Sequence, residues 1–405
     1  MFRVEDIRRD FPILSTKVCG KPLVYLDSGA TAQKPQRVID RVNYLHTEMN
    51  ANIHRGVHYL SEEVTALYEA SRSRVQSFIG AETREEVIFT AGATASINLV
   101  AYAWGNKFLM QGDNIVVSEM EHHSNIVPWQ AVAESRGAEI RVLPFDDSGR
   151  LRVELLDELL DARTKLVAVT QASNTLGTRP NLRPIIDAAH KCGAVVMVDG
   201  CQGVVHGRVD VQALDCDFYA FSGHKLYAPT GIGVLYGKKA ILESMPPFLY
   251  GGDMVDKVSF SGTTFAELPL KFEAGTSNYI GAIALADAIE YIQQFDATQI
   301  EAHEHKLLTQ ATEGLNRIEG LKIYGECEDK SAIVSFNVEG IHHLDLGMIL
   351  DKLGIAIRTG MHCAEPTMQH FGVTGMCRAS IGMYNNEDDI AALVSGVERA
   401  VSMLR

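Results

Sequence analysis

The sequence predicts a layered α/β protein with a separate α+β domain at its C-terminal end. Short, continuously apolar runs such as 166–170 and 194–198 alternate with helical stretches, which is typical of parallel strands buried on both faces. The chain has 405 residues, more than one hydrophobic core usually fills. Beyond residue 317 the pattern changes to shorter strands and helices, which indicates a second domain.

The elements follow from periodicity and from turn residues. The N-terminal ten residues read as an amphipathic helix rather than a signal peptide, and apolar side chains at helical spacing predict a helix over 64–79 that stops at Gly80. Further helices are expected at about 95–110, 124–136, 152–161, 181–191 and 280–317, and strands at 86–90, 115–117, 166–170, 194–198 and 231–236. An irregular glycine-rich segment is expected at 246–279, and the tail is expected as strand 333–338, helix 344–353, strand 355–358, loop 359–376, strand 377–382 and helix 386–403.

Composition limits the classes of function. The net charge of −14 and the absence of a basic stripe argue against a nucleic-acid or membrane partner, and no apolar run approaches the ~18 residues that span a bilayer. The seven cysteines are odd in number and form no Cys-x-x-Cys pair. This disfavours a disulfide framework and a metal or iron–sulfur site, and it favours a reducing, cytoplasmic location.

The most informative stretch is 221–227, where Lys225 lies beside Ser222 and His224 just after an apolar run. Another apolar run, upstream, ends in Asp199. A lysine and an aspartate at two strand ends are what pyridoxal 5′-phosphate requires, because the lysine bonds to its aldehyde and the carboxylate keeps the pyridine nitrogen protonated. Asp199 alone would more often be a capped turn residue.

The segment 90–96 lies between a strand and a helix and suits a phosphate. Gly92 allows close approach of the backbone, and Thr94 offers a hydroxyl in the first helical turn. Ser222 and His224 are further candidates for phosphate contacts. The alternative is an ordinary turn in which Thr94 caps the helix.

Three polar residues after other strands suit the cofactor ring. Gln202 and Asn174 are candidates for hydrogen bonds to the ring hydroxyl, although Asn174 is equally expected as a turn residue. His122 is placed to lie flat on the ring and to move protons. The adjacent His123 also suggests a metal, but no ligand partner has the required spacing, so no metal is expected.

The C-terminal segment adds a thiol and two guanidinium groups. Arg358 and Arg378 are candidates for gripping a substrate carboxylate, although either alone reads as a surface ion pair. Cys363 follows His362 in a polar loop, where neighbouring cations stabilise a thiolate. The alternative is an inert buried thiol.

Together these residues resemble the cysteine desulfurases that depend on pyridoxal 5′-phosphate, specifically the Suf-type (group II) enzymes that also show selenocysteine lyase activity. The resemblance covers essentially the whole chain. Its motifs lie at 25–28, 54–56, 120–123, 199–202, 221–233, 273–276, 358–364 and 377–380. It implies fold type I of these enzymes, with a mostly parallel seven-stranded sheet, and three parts: an N-terminal arm (1–20) packing with the small domain, a large domain (21–295) and a small domain (296–405).

The resemblance also implies roles for individual positions. Lys225, Cys363 and His122 would be catalytic. The cofactor would be held by Thr94, His122, Asn174, Asp199, Gln202, Ser222, His224, Lys225 and, across a homodimer, Thr276. The substrate, L-cysteine or L-selenocysteine, would be bound by Arg378, Arg358, His54 and Arg55. Sulfur would pass from Cys363 to a SufE- or SufU-like acceptor protein for iron–sulfur cluster assembly.

Some positions depart from that pattern. Many relatives have Arg-Gly-Thr-Thr-Glu where this chain has 91–95, and Gly29 and Cys201 replace alanines near the site. Two other classes of function remain open at this point. One is another enzyme of the same cofactor, such as a kynureninase-like hydrolase or an aminotransferase, and the other is a non-catalytic scaffold.

Overall fold

Seven strands form the larger sheet of the computed structural model, which describes residues 2–405. They are β1 (Val87–Thr90), β2 (Asn114–Ser118), β3 (Glu139–Leu143), β4 (Thr164–Thr170), β5 (Val195–Asp199), β6 (Phe218–Ser222) and β7 (Gly233–Gly237). Their spatial order is β1-β7-β6-β5-β4-β2-β3. The pairs from β6 to β3 are parallel, whereas β7 runs antiparallel to both β6 and β1. The predicted α/β class and its mostly parallel seven-stranded sheet are therefore confirmed.

Both faces of this sheet are covered. Along β4, Val167 and Val169 enter one apolar core, whereas Leu166 and Ala168 enter another on the opposite face. Alternate residues of a strand point to opposite faces, so a strand buried on both sides is apolar throughout. The helices in this part of the chain are Gln36–Thr47, Tyr59–Ile79, Ala93–Leu99, Val127–Arg136, Leu156–Leu159, Leu182–Lys191, Val211–Leu214, Lys239–Ser244 and Tyr279–Ile292, with π-helical Val100–Gly105 and a turn at Asn106–Phe108.

The C-terminal part has its own sheet and core. Its antiparallel strands are β8 (Leu321–Tyr324), β9 (Ile333–Val338), β10 (Arg358–Gly360) and β11 (Met376–Ser380), in the order β8-β9-β11-β10. Helices Ala297–Leu315, His343–Lys352 and Glu387–Leu404 cover it, and a shorter helix spans Glu365–His370. Their apolar faces form a third core that is separate from the two cores of the large sheet.

The N-terminal segment contacts both parts of the chain, and its Ile7 and Phe11 are buried in a core of the large sheet. Arg8, in helix Val4–Arg9, forms an ion pair of 2.7 Å with buried Asp389. Val24–Tyr25 pairs in parallel with Ile355–Ala356, and Leu26 is buried in the core of the small part. The division into 1–20, 21–295 and 296–405 stays a prediction, although residues 24–26 pack with the small part rather than with the large sheet.

Several local expectations differ from the structure. The segment 359–376, expected as a loop, contains helix Glu365–His370. The sequence did not predict this helix, because it has fewer than two turns and a proline in the first turn, which leaves little periodicity to detect. The segment 246–279, expected as irregular, contains the exposed hairpin Val255–Ser259 and Gly262–Phe265. The helix expected at 152–161 is reduced to Leu156–Leu159 after a 3₁₀ turn.

Within residues 2–405, no helix is both long enough and apolar enough to cross a bilayer. All seven cysteines are unpaired thiols, and the described residues contain no cluster of three metal-ligating side chains.

Candidate active site

Three parallel strands bring the central residues of the site to one edge of the large sheet. Thr170 ends β4, Asp199 ends β5 and Ser222 ends β6. Thr170 is in register with Asp199, and Asp199 with Ala220. A 3₁₀ turn directly after β6 then carries Lys225. The two residues that the sequence pairs across 26 positions are thus neighbours at the carboxyl edge, where open α/β sheets bind their ligands.

Asp199 is a buried acid that keeps one oxygen available. It is 3% exposed, and its Oδ1 accepts a hydrogen bond of 2.9 Å from the backbone of Cys201. No bond of this kind involves Oδ2 among the described residues. Oδ2 is therefore free to accept a hydrogen bond from a ligand, and a protonated pyridine nitrogen is such a donor.

His122 lies in the loop after β2 and is held as a neutral imidazole. Its Nδ1 accepts a hydrogen bond of 3.1 Å from the backbone N–H of Ser124, so the ring proton resides on Nε2. Burial first, and then the Lys225 ammonium, lower the pKa of His122 to about 4, against the opposing charge of Asp199. At neutral pH the ring therefore presents a flat, uncharged face and an N–H donor.

The turn after β1 has the features of a phosphate cradle. Gly92, at φ +149°, precedes helix Ala93–Leu99, and the backbone N–H of Ala93 donates to Ser222 Oγ at 2.8 Å. The neighbouring strand β7 passes close by: a Cβ on Gly233 would come within 2.4 Å of Gly92 Cα. Thr94 is exposed in the first helical turn. Glycine at both positions is what allows this close backbone approach.

His224 contributes a further unpaired group beside this turn. Its Nδ1 is buried and has no hydrogen-bond partner within the protein. Burial and the neighbouring Lys225 and Lys34 cations lower the pKa of His224 to about 4. A buried ring nitrogen without a partner is costly unless a ligand satisfies it.

Cys363 lies on a short loop that hydrogen bonds attach to the large part. The side chain of Asn174 donates to the carbonyl of His362 at 2.8 Å, and the N–H of His123 donates to the carbonyl of Cys363 at 2.7 Å. His362 and Cys363 both have positive φ, near 55°, a conformation that non-glycine residues seldom adopt. The thiol is half-buried, and Arg358 Nη2 lies 3.8 Å from its sulfur.

Arg378 is a fully buried guanidinium beside this loop. It donates to the carbonyl of Asn174 at 2.8 Å and to Asp27 Oδ1 at 3.0 Å, while its Nε has no partner. Arg358 and Arg378 face each other in the register of β10 and β11. Two cations on neighbouring strands favour an anionic ligand between them.

Four predicted residues lie apart from this cluster or are otherwise engaged. Gln202 donates its amide to the carbonyl of Gly29 at 2.9 Å. His54 contacts Glu69 at 3.1 Å, and Arg55 pairs with Asp253 at 2.8 Å. Thr276 is exposed. Within one chain, His54 and Arg55 are thus engaged by other residues and Thr276 is left exposed, so their predicted roles stay predictions.

Sequence reasoning assigned no role to two acids of the site. Asp27 pairs with Arg378, and burial raises its pKa against the attraction of that cation. Glu121 is fully buried next to His122. The sequence carried a signal for Glu121, because an acidic residue shortly after an apolar strand suggests a functional or buried carboxyl group. It carried no local signal for Asp27, because its partner Arg378 is 351 positions away in the chain.

The residues at this edge fit pyridoxal 5′-phosphate. A phosphate group could be bound by the turn at 92–93, by Ser222 and by the unpaired nitrogen of His224. A protonated ring nitrogen could donate to the free oxygen of Asp199. Lys225 lies in the turn directly after β6, and its charge acts on both His122 and His224, so that an aldehyde-bonding amine is present at this edge.

A fold of this type, with a lysine and an aspartate at neighbouring strand ends, is typical of enzymes that use this cofactor. The chain belongs to the class V aminotransferase family, whose model matches residues 24–393. The predicted cofactor, pyridoxal 5′-phosphate, is confirmed at the level of that family.

Curated relatives and solved structures are similar over the full length. A probable cysteine desulfurase of Vibrio cholerae serotype O1 is 49% identical over 404 residues, covering 100% of both chains. A cysteine desulfurase of Yersinia pseudotuberculosis is 50% identical and covers 100% of this chain and 99% of its own. The crystal structure of the Escherichia coli cysteine desulfurase CsdA superposes with a TM-score of 0.94 at 43% identity, covering 100% of both chains. The apo cysteine desulfurase of Thermococcus onnurineus NA1 gives 0.93 at 39% identity, covering 98% of each.

Proposed function

We propose that this protein is a cysteine desulfurase that converts L-cysteine to L-alanine and keeps the sulfur on Cys363 as a persulfide. The observation that carries this proposal is the position of the Cys363 loop. Hydrogen bonds from Asn174 and His123 attach it to the edge that bears Lys225 and Asp199. An aminotransferase or a hydrolase of the same family requires no thiol there. The similarity to enzymes named cysteine desulfurases supports the same conclusion.

The cofactor, when bound, takes the substrate's amino group and withdraws electrons from Cα. The residues of the chain then have separate tasks. Lys225, once free, accepts the Cα proton and returns protons to the substrate. Asp199 keeps the ring nitrogen protonated, so that electrons flow toward it. His122, neutral with its proton on Nε2, covers the ring and excludes water from one face.

Arg378 binds the substrate carboxylate, and its Nε is the group without a partner. Arg358 Nη2 lies 3.8 Å from the Cys363 sulfur and orients it, and the nucleophilic form of that sulfur is the thiolate. That thiolate attacks the substrate sulfur. The Cβ–S bond breaks, an S–S bond forms and a proton completes the methyl group, so that cysteine and one thiol give alanine and one persulfide.

The test replaces the thiol. In Cys363→Ser we expect the absorbance of the bound cofactor to be retained and persulfide formation from L-cysteine to be abolished. The matched control is Cys192→Ser, which removes a half-buried thiol directly after helix Leu182–Lys191 and should leave both unchanged. Persulfide formation at the wild-type rate in Cys363→Ser would rule out the role of this thiol.

We extend the proposal to selenocysteine and to a sulfur acceptor. Selenide is a better leaving group than sulfide, so selenocysteine cleavage should survive in Cys363→Ser. The acceptor would be a small SufE- or SufU-like protein that delivers sulfur to iron–sulfur cluster assembly. Alanine release from each substrate, with and without reductant and purified acceptor, tests both points. An acceptor that leaves turnover of cysteine unchanged would contradict the second.

We also propose a homodimer in a reducing compartment, the cytoplasm. All seven thiols are unpaired. Large apolar side chains are exposed beside the segments that carry His54, Arg55 and Thr276. The exposed apolar residues are Val57, Tyr59, Leu249 and Tyr250. Because a monomer seldom exposes such a patch, a second copy is the proposed occupant, and Thr276 would then reach the partner's phosphate site.

A further inference from the structure

A buried carboxylate lies directly behind the cofactor edge and takes no part in the steps described above. Glu121 is fully buried. Its Oε1 is hydrogen-bonded to the hydroxyl of Ser118 and, at 2.6 Å, to the backbone N–H of Thr170. Its Oε2 accepts at 2.7 Å from the amide of Asn125. Three polar groups on three different segments therefore converge on one side chain.

Two of these groups lie at the two ends of the loop that carries His122. Ser118 is the last residue of β2, and Asn125 ends the 3₁₀ turn His123–Asn125, two residues before helix Val127–Arg136. Asn125 is itself oriented, because its Oδ1 accepts from the indole N–H of buried Trp129 at 2.9 Å. With both ends of the loop attached to one carboxylate, the backbone of 119–124 and the ring it bears have little freedom.

The third group links this loop to the strand beside Asp199. Thr170 ends β4 and is in register with Asp199 on β5. The hydroxyl of Thr170 donates to the carbonyl of Ala172 at 2.8 Å, which fixes the turn that follows. The carboxylate of Glu121 thus sets the distance between the His122 loop and the strand end from which Asp199 projects.

We propose that Glu121 is a positioning residue of the active site, which holds the His122 ring against the cofactor and in a constant relation to Asp199. It touches neither substrate nor cofactor. Burial raises the pKa of Glu121 to about 8, so at neutral pH its proton lies mostly on Oε1 and points to the hydroxyl of Ser118. In both the protonated and the ionised form, Oε1 accepts from the N–H of Thr170 and Oε2 from the amide of Asn125. An amide nitrogen at either position would face an N–H group and would disturb the arrangement. The inference rests on the proposed cofactor site, and only its turnover readout rests on the proposed desulfurase activity.

The decisive variant is Glu121→Gln, which preserves shape. The new amide oxygen satisfies Ser118 and Thr170, but the new NH₂ faces the NH₂ of Asn125. Asn125 cannot simply flip, because its oxygen serves Trp129. The double variant Glu121→Gln with Asn125→Asp removes this conflict, since a carboxylate at 125 accepts from both neighbours.

The matched control is Glu86→Gln. Glu86 is also buried and also accepts three N–H groups, from Glu82 at 2.9 Å, Thr83 at 3.2 Å and Lys239 at 3.2 Å, but it lies before β1 and away from the site. It reproduces the loss of a buried carboxylate without disturbing the His122 loop. Ser118→Ala, which removes one of the three groups only, serves as a milder variant that retains the fold.

Four quantities are measured on the purified protein: the visible circular dichroism of the bound cofactor, the cofactor dissociation constant, and both kcat and KM for alanine release from L-cysteine. In Glu121→Gln we expect an altered dichroic band, weaker cofactor binding and a kcat lowered roughly tenfold or more with little change in KM. Ser118→Ala should shift the band in the same direction by less. The double variant should restore both band and kcat.

An unaltered band in Glu121→Gln and in Ser118→Ala would overturn the proposal, as would an equal change in Glu86→Gln, because either result would reduce Glu121 to a stabilising residue. A double variant no better than Glu121→Gln would overturn it as well. Absence of alanine release from the wild-type protein would instead contradict the proposed function and would leave the dichroism comparison intact.

Discussion

At the scale of single residues, the site is defined by which polar atoms lack a partner inside the protein. The Nδ1 of His224 and the Nε of Arg378 are buried and unpaired. Buried donors and acceptors are nearly always satisfied, so these atoms mark where the phosphate and the substrate carboxylate belong. The two arginines on β10 and β11 then differ in task, because only Arg358 reaches the sulfur of Cys363.

That difference is testable with a matched pair of variants. Arg378→Lys should raise KM for cysteine roughly 10- to 100-fold, because an ammonium group loses the planar fork and a charge-assisted hydrogen bond contributes about 1.5–3 kcal/mol. Arg358→Lys should change KM less and should slow alkylation of Cys363. Mass spectrometry of the peptide that contains Cys363 measures the alkylation rate. The assignment fails if the two variants show the opposite pattern.

At the scale of elements, the phosphate turn depends on contact between two backbones. β7 runs antiparallel between β1 and β6, and its Gly233 is in register with Thr90 and with Ser222. A side chain there would collide with the main chain of Gly92 rather than with a flexible group. The shape of the cradle is thus set by a strand that contributes no predicted cofactor ligand.

Gly233→Ala should therefore weaken cofactor binding by about tenfold or more, with a loss of stability of about 1–3 kcal/mol from overpacking. Spectroscopic titration of the cofactor-free protein gives the first quantity and urea unfolding the second. The control is Gly262→Ala in the exposed hairpin, where an added Cβ meets no atom within 4 Å. Cofactor affinity equal to that of the control would contradict this role of β7.

At the scale of the whole molecule, the neutral state of the site histidines links stability to pH. Burial first, and then the Arg378 guanidinium, lower the pKa of His362 to about 3, and the pKa of His122 is about 4. Unfolded histidines titrate near 6.5, so the native protein binds fewer protons than the unfolded chain between about pH 4 and 6.5. Stability from these two groups is present above that window and is lost as the pH falls through it.

The cofactor-free protein should accordingly lose stability on acidification from pH 7 to pH 5. His122 and His362, together with His224, whose pKa is also lowered to about 4, contribute at most about 4 kcal/mol per pH unit. Glu121 opposes this, because burial raises its pKa to about 8 and the native state then binds one more proton, which leaves about 3 kcal/mol per unit. Urea unfolding at three pH values measures the slope. His362→Gln should flatten it, and an unchanged slope in that variant would contradict the assignment.

The exposed patch near Val57 gives a test of the proposed dimer. Val57→Glu places a charge within it and should lower the dimer fraction in sedimentation velocity, together with cofactor affinity, since Thr276 would be withdrawn. Met403→Glu, on the exposed side of the last helix, is the control and should change neither. A wild-type protein that sediments as a monomer at micromolar concentration would exclude the dimer.

The sequence by itself determined the α/β class, most strands of the large sheet although not β3, and the pairing of Lys225 with Asp199. Each follows from local patterns: strand periodicity, or a polar residue directly after an apolar run. The tertiary structure alone decided that Asp27 meets Arg378, that Glu121 meets Thr170, and that the short helix Glu365–His370 follows Cys363. These depend on contacts between segments far apart in the chain or on helices too short to show a period, because a side chain's partners are set by packing and not by its sequence neighbours.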